Sequence, residues 1–295
     1  MLGITVAARN SDSLASRVSE RLRRCDAVMG VAAKSLASGE AVLVDADRRF
    51  PTASAIKTAV MVEVFHQIAE GRFDRDKEVV LTREEKVDGS GVLQDLHAGL
   101  RLTVGDLLSL MISVSDNTAT NLLVGLVGTA SVDRRLEGYG LVDTKLFRPT
   151  FRDGKADVHP ELEREFGLGM STPRELVRLM ELIAEGRVVS RAACDEMLAL
   201  LRAQQFRTMI PRRLPEGDEI KVGDKPGWDE EKRPGPDGIR RHVRIDAGVV
   251  ETPRTRYVIA ICARQVRDTR WGIDNDALVT GADVARLIHD HFDQR

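Results

Sequence analysis

The chain has 295 residues, of which 42% are apolar and 31% are charged, a balance typical of a folded domain rather than a disordered segment. Its 44 basic and 46 acidic side chains leave a net charge of -2, which excludes a general electrostatic affinity for nucleic acid or anionic lipid. It contains no run of about 18 apolar residues, so we expect no membrane span.

The N-terminal third of the chain predicts a helix, a β-hairpin and a second helix. Residues 11–25 repeat apolar side chains at helical spacing. Residues 28–36 and 41–44 have strand character on either side of a short turn. Residues 54–70 carry an apolar side chain at every fourth position, and Gly71 follows where a helix commonly ends.

The middle of the chain is mostly helical. Residues 103–114 form the most apolar helix, and another helix covers about 118–127. Residues 148–170 contain several prolines and glycines, which indicates a long surface loop. Further helices then begin at Pro173 and just after Ser190.

The C-terminal third returns to strands. Residues 220–222, 243–250 and 256–263 favour β-strands, and residues 279–292 favour a closing helix. Strands therefore lie at both ends of the chain, with helices between them. We expect an α/β (α+β) fold, in which a five-stranded, mainly antiparallel sheet is flanked by the N- and C-terminal helices and carries an inserted all-helical domain.

This arrangement predicts two domains. Residues 1–53 and 206–295 form a discontinuous sheet domain, and residues 54–205 form the helical domain. The active site is expected in the cleft between them.

Three short motifs carry the side chains that are suited to catalysis. Residues 54–57 read Ser-Ala-Ile-Lys at the start of a helix, residues 115–117 read Ser-Asp-Asn between two apolar helices, and residues 225–228 read Lys-Pro-Gly-Trp on or beside the first C-terminal strand. Alone, the first is usually an exposed helix turn, the second a helix cap and the third a turn. Together, in this order and on these elements, they favour a single catalytic site.

The spacing of Ser54 and Lys57 suits nucleophilic catalysis. A serine hydroxyl needs a base within hydrogen-bond reach, and residues three apart share one face of a helix. A lysine becomes a base only when its pKa falls, which burial and a neighbouring cation such as Lys225 cause. Ser54 at the start of a helix also gains from free backbone N–H groups, which stabilise a developing oxyanion.

The second motif supplies polar groups around such a nucleophile. Ser115 is suited to relay a proton to a leaving nitrogen. Asn117 is suited to hold a substrate amide or to orient Lys57. Asp116 is expected to face inward and to brace the turn through backbone hydrogen bonds.

From about residue 14 to the end, the chain resembles the class A β-lactamase and penicillin-binding-protein group of active-site serine hydrolases. The resemblance is strongest over residues 49–57, 102–103 and 115–123. It implies that Ser54 is the acylated nucleophile, that Lys57 is its base, and that the backbone N–H groups of Ser54 and Trp228 form the oxyanion hole. The remaining catalytic and substrate-binding residues that it implies are Ser115, Asn117, Lys225 and Gly227.

The third motif departs from the family, because it reads KPG where the family has KTG. Pro226 supplies neither a hydroxyl nor an N–H group. Recognition of a substrate carboxylate then falls to Lys225 or Ser115, or to an arginine such as Arg241 or Arg244.

The loop before Pro173 also departs from the family. Class A enzymes carry there a glutamate that activates the deacylating water, whereas residues 149–151 read Pro-Thr-Phe. Further along, Glu161, Glu163 and Glu165 offer carboxylates, and the alternative is that they form a solvated, charged turn. If none of them reaches the cleft, acylation proceeds while deacylation is slow.

These observations predict a serine hydrolase that hydrolyses β-lactams through an acyl-enzyme. The alternatives are a D-alanyl-D-alanine carboxypeptidase or an esterase on the same scaffold, and a covalent β-lactam-binding or sensor protein with negligible turnover. We expect a small-molecule substrate, no cofactor, no metal, no nucleic-acid partner and a monomer. Residues 1–10 show no secretory signal, and the sequence does not decide the compartment.

Overall fold

The computed structural model describes residues 13–217 and 219–294. The expectation about a secretory signal in residues 1–10, and the start of the helix predicted over 11–25, lie outside the described residues. The helices are α1 (Leu14–Leu22), α2 (Lys57–Ala69), α3 (Val104–Ser113), α4 (Asn117–Val127), α5 (Thr129–Gly138), α6 (Pro160–Phe166), α7 (Pro173–Ala184), α8 (Arg191–Arg202) and α9 (Asp276–Asp293). The strands are β1 (Val28–Ser35), β2 (Ala41–Val44), β3 (Phe50–Pro51), β4 (Glu78–Val80), β5 (Arg101–Thr103), β6 (Lys145–Leu146), β7 (Gly169–Ser171), β8 (Lys221–Glu230), β9 (His242–Glu251) and β10 (Arg256–Val266).

The central element is a five-stranded sheet with the strand order β2-β1-β10-β9-β8. Every neighbouring pair in it is antiparallel. Two of its strands come from the N-terminal part of the chain and three from the C-terminal part, with α2–α8 between them in sequence. The predicted fold class is therefore confirmed.

Helices bury both faces of the sheet. Because successive residues of a strand point to opposite sides, each strand contributes side chains to both faces. On one face, Ile259 of β10 packs in a core cluster with Val18 of α1 and Ile288 of α9. On the other face, Val258 of β10 and Ala247 of β9 belong to a larger cluster shared with the helices from the middle of the chain. This alternation decides which side chains of β8 and β9 face the helices from the middle of the chain, α2–α8, which are called the helical half below.

Polar caps begin the helices where the sequence predicts. Thr103 and Asp106 form a reciprocal capping box at the start of α3. Thr172 and Ser190 accept backbone hydrogen bonds at the starts of α7 and α8. Across residues 13–217 and 219–294, no helix is both long and apolar enough to cross a bilayer.

Residues 148–170 are more regular than the predicted loop. α6 begins at Pro160, which suits the first turn of a helix, and β7 pairs with β3 and β6 in a small sheet. Phe147, Phe166 and Met170 pack together in a buried cluster. The loop prediction is wrong in this respect, because the contacts that order the segment join residues distant in sequence.

The first C-terminal strand is longer than predicted. β8 runs from Lys221 to Glu230 and includes Pro226, although proline is excluded from central strands. β8 lies at the edge of the sheet, where a missing N–H group is tolerated. α5 has no counterpart in the prediction.

Candidate active site

Ser54 lies in the turn that precedes α2. Residues Ala53–Ile56 form a 3₁₀ turn, and the α-helix itself begins at Lys57 rather than at residue 54. Ala53 has a φ of 43°, in the left-handed region that non-glycine residues rarely adopt. The turn presents the half-buried Ser54 to a cleft of about 260 Å³.

The amine of Lys57 is buried and hydrogen-bonded on three sides. It donates to the backbone oxygen of Ser115 at 2.6 Å, to Ser115 Oγ at 3.1 Å and to Asn117 Oδ1 at 2.8 Å. Burial holds the pKa of Lys57 well below its ordinary value, and the charge of Lys225 lowers it further. Once deprotonated, the amine has a lone pair that accepts a proton from a neighbouring hydroxyl.

Ser115 connects the two lysines of the site. Ser115 Oγ lies 3.1 Å from Lys57 Nζ and 3.1 Å from Lys225 Nζ, and the φ of Ser115 is 57°. Burial lowers the pKa of Lys225 to about 7, although the charges of Asp224 and Asp246 raise it. Two amines with lowered pKa values thus meet one hydroxyl, which makes a continuous path for a proton.

The turn around Ser115 is held by its neighbours. Asp116 accepts hydrogen bonds from three backbone N–H groups, at 2.7 Å, 2.9 Å and 2.8 Å, and braces the turn as expected. Asn117 directs its carbonyl oxygen to Lys57 and donates from its amide nitrogen to the backbone oxygen of Asp88 at 3.1 Å. The arrangement orients Asn117 and keeps Lys57 in place.

Strand β8 approaches the Ser54 turn too closely for a side chain between them. A methyl group on Gly227 would lie 2.7 Å from the backbone oxygen of Thr52 and 2.8 Å from the backbone nitrogen of Ser54. Real side chains do not make contacts this short. Glycine at position 227 therefore sets the distance between the sheet and Ser54.

The open edge of β8 borders the cleft. On an edge strand, alternate backbone N–H groups point to the partner strand and to the open side. Pro226 has no N–H group and suits an open-side position, and Trp228, two residues further on, directs its N–H group to the same side. Trp228 and Ser54 line the same cleft.

The predicted site residues divide into two groups. The residues whose side chains line the cleft are Ser54, Asn117 and Trp228. The residues buried next to it are Lys57, Ser115, Lys225 and Gly227. In the described part of the chain, no cluster of three or more His, Cys, Asp or Glu side chains is arranged to hold a metal ion.

The three glutamates considered for deacylation do not line this cleft. Glu163 is buried, and its carboxylate accepts from Arg148 Nε at 2.9 Å and from a backbone N–H group at 3.1 Å. Glu161 is exposed beside His159, and Glu165 pairs with Arg264 at 3.4 Å. Arg148 is also buried, so the ion pair between Arg148 and Glu163 is internal and holds the segment between residues 148 and 163 in place.

The two arginines considered for carboxylate recognition lie in different surroundings. Arg241 pairs with Asp237 on the surface, away from the cleft lining. Arg244 is buried opposite Trp228 on the neighbouring strand, with its guanidinium 5.0 Å from the ring centre of Trp271. Burial lowers the pKa of Arg244 to about 10. Trp228 and Trp271, the neighbours of Arg244, both line the cleft. Arg244 therefore lies nearer to the cleft than Arg241 does.

Sequence reasoning missed two carboxyl groups in the cleft, those of Asp153 and Asp229. Asp229 lines it together with Ser54 and lies two residues beyond Gly227 on β8. Strand alternation places both residues on the same face. The strand predicted over 220–222 stops before Asp229, and a longer strand would have exposed this relationship.

Comparison with known proteins gives concordant results. A sequence model described as the β-lactamase enzyme family matches residues 13–292. A β-lactamase from Streptomyces fradiae is 30% identical over 291 residues, which cover 92% of this chain and 85% of that protein. The crystal structure of a β-lactamase from Sphaerobacter thermophilus has a TM-score of 0.82 at 29% identity, covering 97% of this chain and 98% of that chain. A variant of PBP-A, solved as an acyl-enzyme complex with penicillin G, has a TM-score of 0.78 at 25% identity, covering 96% and 97%.

Proposed function

Because the chain belongs to the β-lactamase enzyme family, we propose that it is a serine hydrolase that opens β-lactam rings through an acyl-enzyme on Ser54. The observation that carries this proposal is the hydrogen-bonded series of Lys57, Ser115 and Lys225 beside the Ser54 turn. The relative solved as an acyl-enzyme with penicillin G adds support, because it has the same fold.

Acylation begins when Ser54 Oγ attacks the carbonyl carbon of the substrate. The neutral amine of Lys57 takes the hydroxyl proton, and burial, which lowers the pKa of Lys57, favours this neutral form. The backbone N–H groups of Ser54 and Trp228 stabilise the oxyanion that develops on the carbonyl oxygen.

The leaving nitrogen receives its proton through Ser115. Its hydroxyl contacts both lysine amines, so a proton given to the substrate is replaced from Lys57 or Lys225. An amine with a pKa of about 7, as in Lys225, both gives and takes protons near neutral pH.

The substrate is an anion in this proposal. Lys225 supplies a positive charge beside the cleft at and below neutral pH, and Arg244 supplies a second cation near Trp228. Pro226 has no hydroxyl that could donate a hydrogen bond to the substrate carboxylate, as a threonine at this position would. Recognition of the carboxylate therefore depends more on the charges of Lys225 and Arg244.

A covalent β-lactam-binding or sensor protein is the second candidate. It is favoured by one observation, namely that Glu161, Glu163 and Glu165 are absent from the residues that line the described cleft. Such a protein is acylated and releases product very slowly. A D-alanyl-D-alanine carboxypeptidase or an esterase would use the same acylation chemistry on another substrate.

An intact-mass time course with penicillin G, run beside a nitrocefin assay, tests the proposal. We expect the wild-type protein to gain one penicilloyl adduct and to hydrolyse nitrocefin with steady turnover. Ser54→Ala should form no adduct. Ser90→Ala, which changes another serine of the cleft lining, is the matched control and should still be acylated.

Each other outcome identifies an alternative. A stable stoichiometric adduct without turnover supports the binding protein. Cleavage of short-chain p-nitrophenyl esters, or release of D-alanine from a peptide ending in D-Ala-D-Ala, without β-lactam turnover supports the esterase or the carboxypeptidase. An adduct that survives in Ser54→Ala contradicts the assignment of the nucleophile.

A further inference from the structure

Hydrolysis of an acyl-enzyme needs a base in the cleft, and the described residues offer two carboxyl groups there. Asp153 and Asp229 both line the space that Ser54 faces. Asp153 is engaged, because Arg148 and Lys232 both pair with its Oδ1. Although burial opposes the shift, these two cations hold the pKa of Asp153 below its usual value, which makes it a weak base.

Asp229 differs from Asp153 in its partners. It forms no ion pair with any described residue, and the hydrogen bond recorded for its carboxylate comes from the backbone N–H group of Glu230 at 2.8 Å. Burial raises the pKa of Asp229, while Lys232, the Glu230 N–H group and Arg148 lower it and Asp153 raises it. A half-buried carboxylate with a raised pKa accepts a proton more readily than a paired one.

The register of β8 places Asp229 on the same face of the sheet as Gly227, which contacts the Ser54 turn. Asp229 pairs with Val243 of β9, which belongs to the core cluster of the helical half, so Asp229 faces that half together with Lys225 and Gly227. Gly227 abuts the Ser54 turn. Two residues along a strand cover about 7 Å, a span that the carboxyl side chain and one water molecule bridge.

We propose that Asp229 is the general base that activates water for hydrolysis of the Ser54 acyl-enzyme, a role that rests on the proposed function. The carboxylate takes one proton from water as the water oxygen bonds to the acyl carbonyl carbon. The bond between that carbon and Ser54 Oγ then breaks, and Ser54 Oγ receives the proton from Asp229. The products are the carboxylic acid and the free enzyme, so one water molecule is consumed.

The test compares Asp229→Asn with Glu230→Gln, a matched loss of charge on the opposite face of the same strand. Both variants are acylated with penicillin G, excess penicillin is removed, and loss of the adduct is followed by intact mass. We expect Asp229→Asn to acylate at the wild-type rate and to deacylate about 10² to 10⁴ times more slowly. Glu230→Gln should deacylate like the wild type, and Asp229→Glu should recover part of the rate.

The wild-type pH profile is a second measurement that does not depend on the folding of a variant. The deacylation rate should fall as the pH drops through the pKa of Asp229, which lies above the usual aspartate value, and Asp229→Asn should lose this dependence. A wild-type rate that is flat between about pH 4 and 8 overturns the proposal.

Equal deacylation by Asp229→Asn and the wild type, or a wild-type adduct that is never released, also overturns it and leaves the acylation of Ser54 intact. Failure of the wild type to form any adduct overturns the proposed function instead.

Discussion

At the scale of single residues, the site depends on two amines that share one hydroxyl. Ser115 Oγ lies at hydrogen-bond distance from both Lys57 and Lys225. Two ammonium groups so close together in a buried site repel each other, and burial disfavours the charge of each. Burial lowers the pKa of both lysines, and the charge of Lys225 lowers the pKa of Lys57 further.

Replacement of Lys57 by methionine should remove the base while nearly filling its volume. We expect acylation by penicillin G to slow by about 10² to 10⁴, the range usual for loss of a general base. The rate of adduct formation measures the effect, and thermal melting checks the fold. Lys221→Met, at an exposed position on β8, is the control and should acylate normally. An unchanged rate in Lys57→Met would remove this lysine from the mechanism.

The charge of Lys225 predicts a pH dependence for anionic substrates. With a pKa of about 7, Lys225 is charged below this pH and becomes neutral above it. The KM for a penicillin should therefore rise as the pH increases through 7, whereas the KM for a neutral ester should not. Lys225→Arg keeps its charge and should move the rise to higher pH. The same rise with the neutral ester would assign the effect to another group.

At the scale of elements, the segment between β6 and β7 is held by a buried ion pair. The side chains of Arg148 and Glu163 are only 3% and 6% exposed. Removing one partner of such a pair leaves a buried charge without its counterion, which commonly costs several kcal/mol. The ion pair therefore supports the wall of the cleft on which Arg148 and Thr150 lie.

Glu163→Gln should accordingly lower the free energy of unfolding by about 3 kcal/mol. Urea denaturation measures this change. Glu161→Gln, in the same helix but exposed, is the control and should change stability by no more than about 0.5 kcal/mol. Equal effects in the two variants would show that the ion pair does not brace the segment.

The elements also differ in how far local sequence determines them. The starts of α3, α7 and α8 follow from Thr103, Thr172 and Ser190, because a cap acts within one turn of the helix. α6 and β7 were not predictable in this way, because Phe147 and Met170 meet only after the chain has folded.

At the scale of the whole molecule, the proposed catalysis requires the sheet to meet the turn before α2 at a fixed distance. Gly227 on β8 and the Ser54 turn lie in contact, and Lys225 on the same strand reaches Ser115 across the interface. A side chain at position 227 must push the two parts of the molecule apart.

Gly227→Ala should therefore separate activity from folding. We expect acylation to fall by about 10², the cost of a displacement of roughly 1 Å at a reacting centre, while the protein remains folded. Gly125→Ala, in α4 with open space around the added methyl group, is the control and should acylate normally. Normal acylation by Gly227→Ala would mean that the interface tolerates a wider separation.

The sequence alone predicted the class of the fold, the strands at both ends of the chain and most of the longer helices, and it placed Ser54 three residues before Lys57. These features depend on periodicity and on a spacing of three residues, which are local properties of the chain. Only the tertiary structure decided which carboxyl groups reach the cleft. Glu163 pairs with Arg148, whereas Asp229 lines the same cleft as Ser54, because burial, strand register and ion pairing are set by segments far apart in sequence.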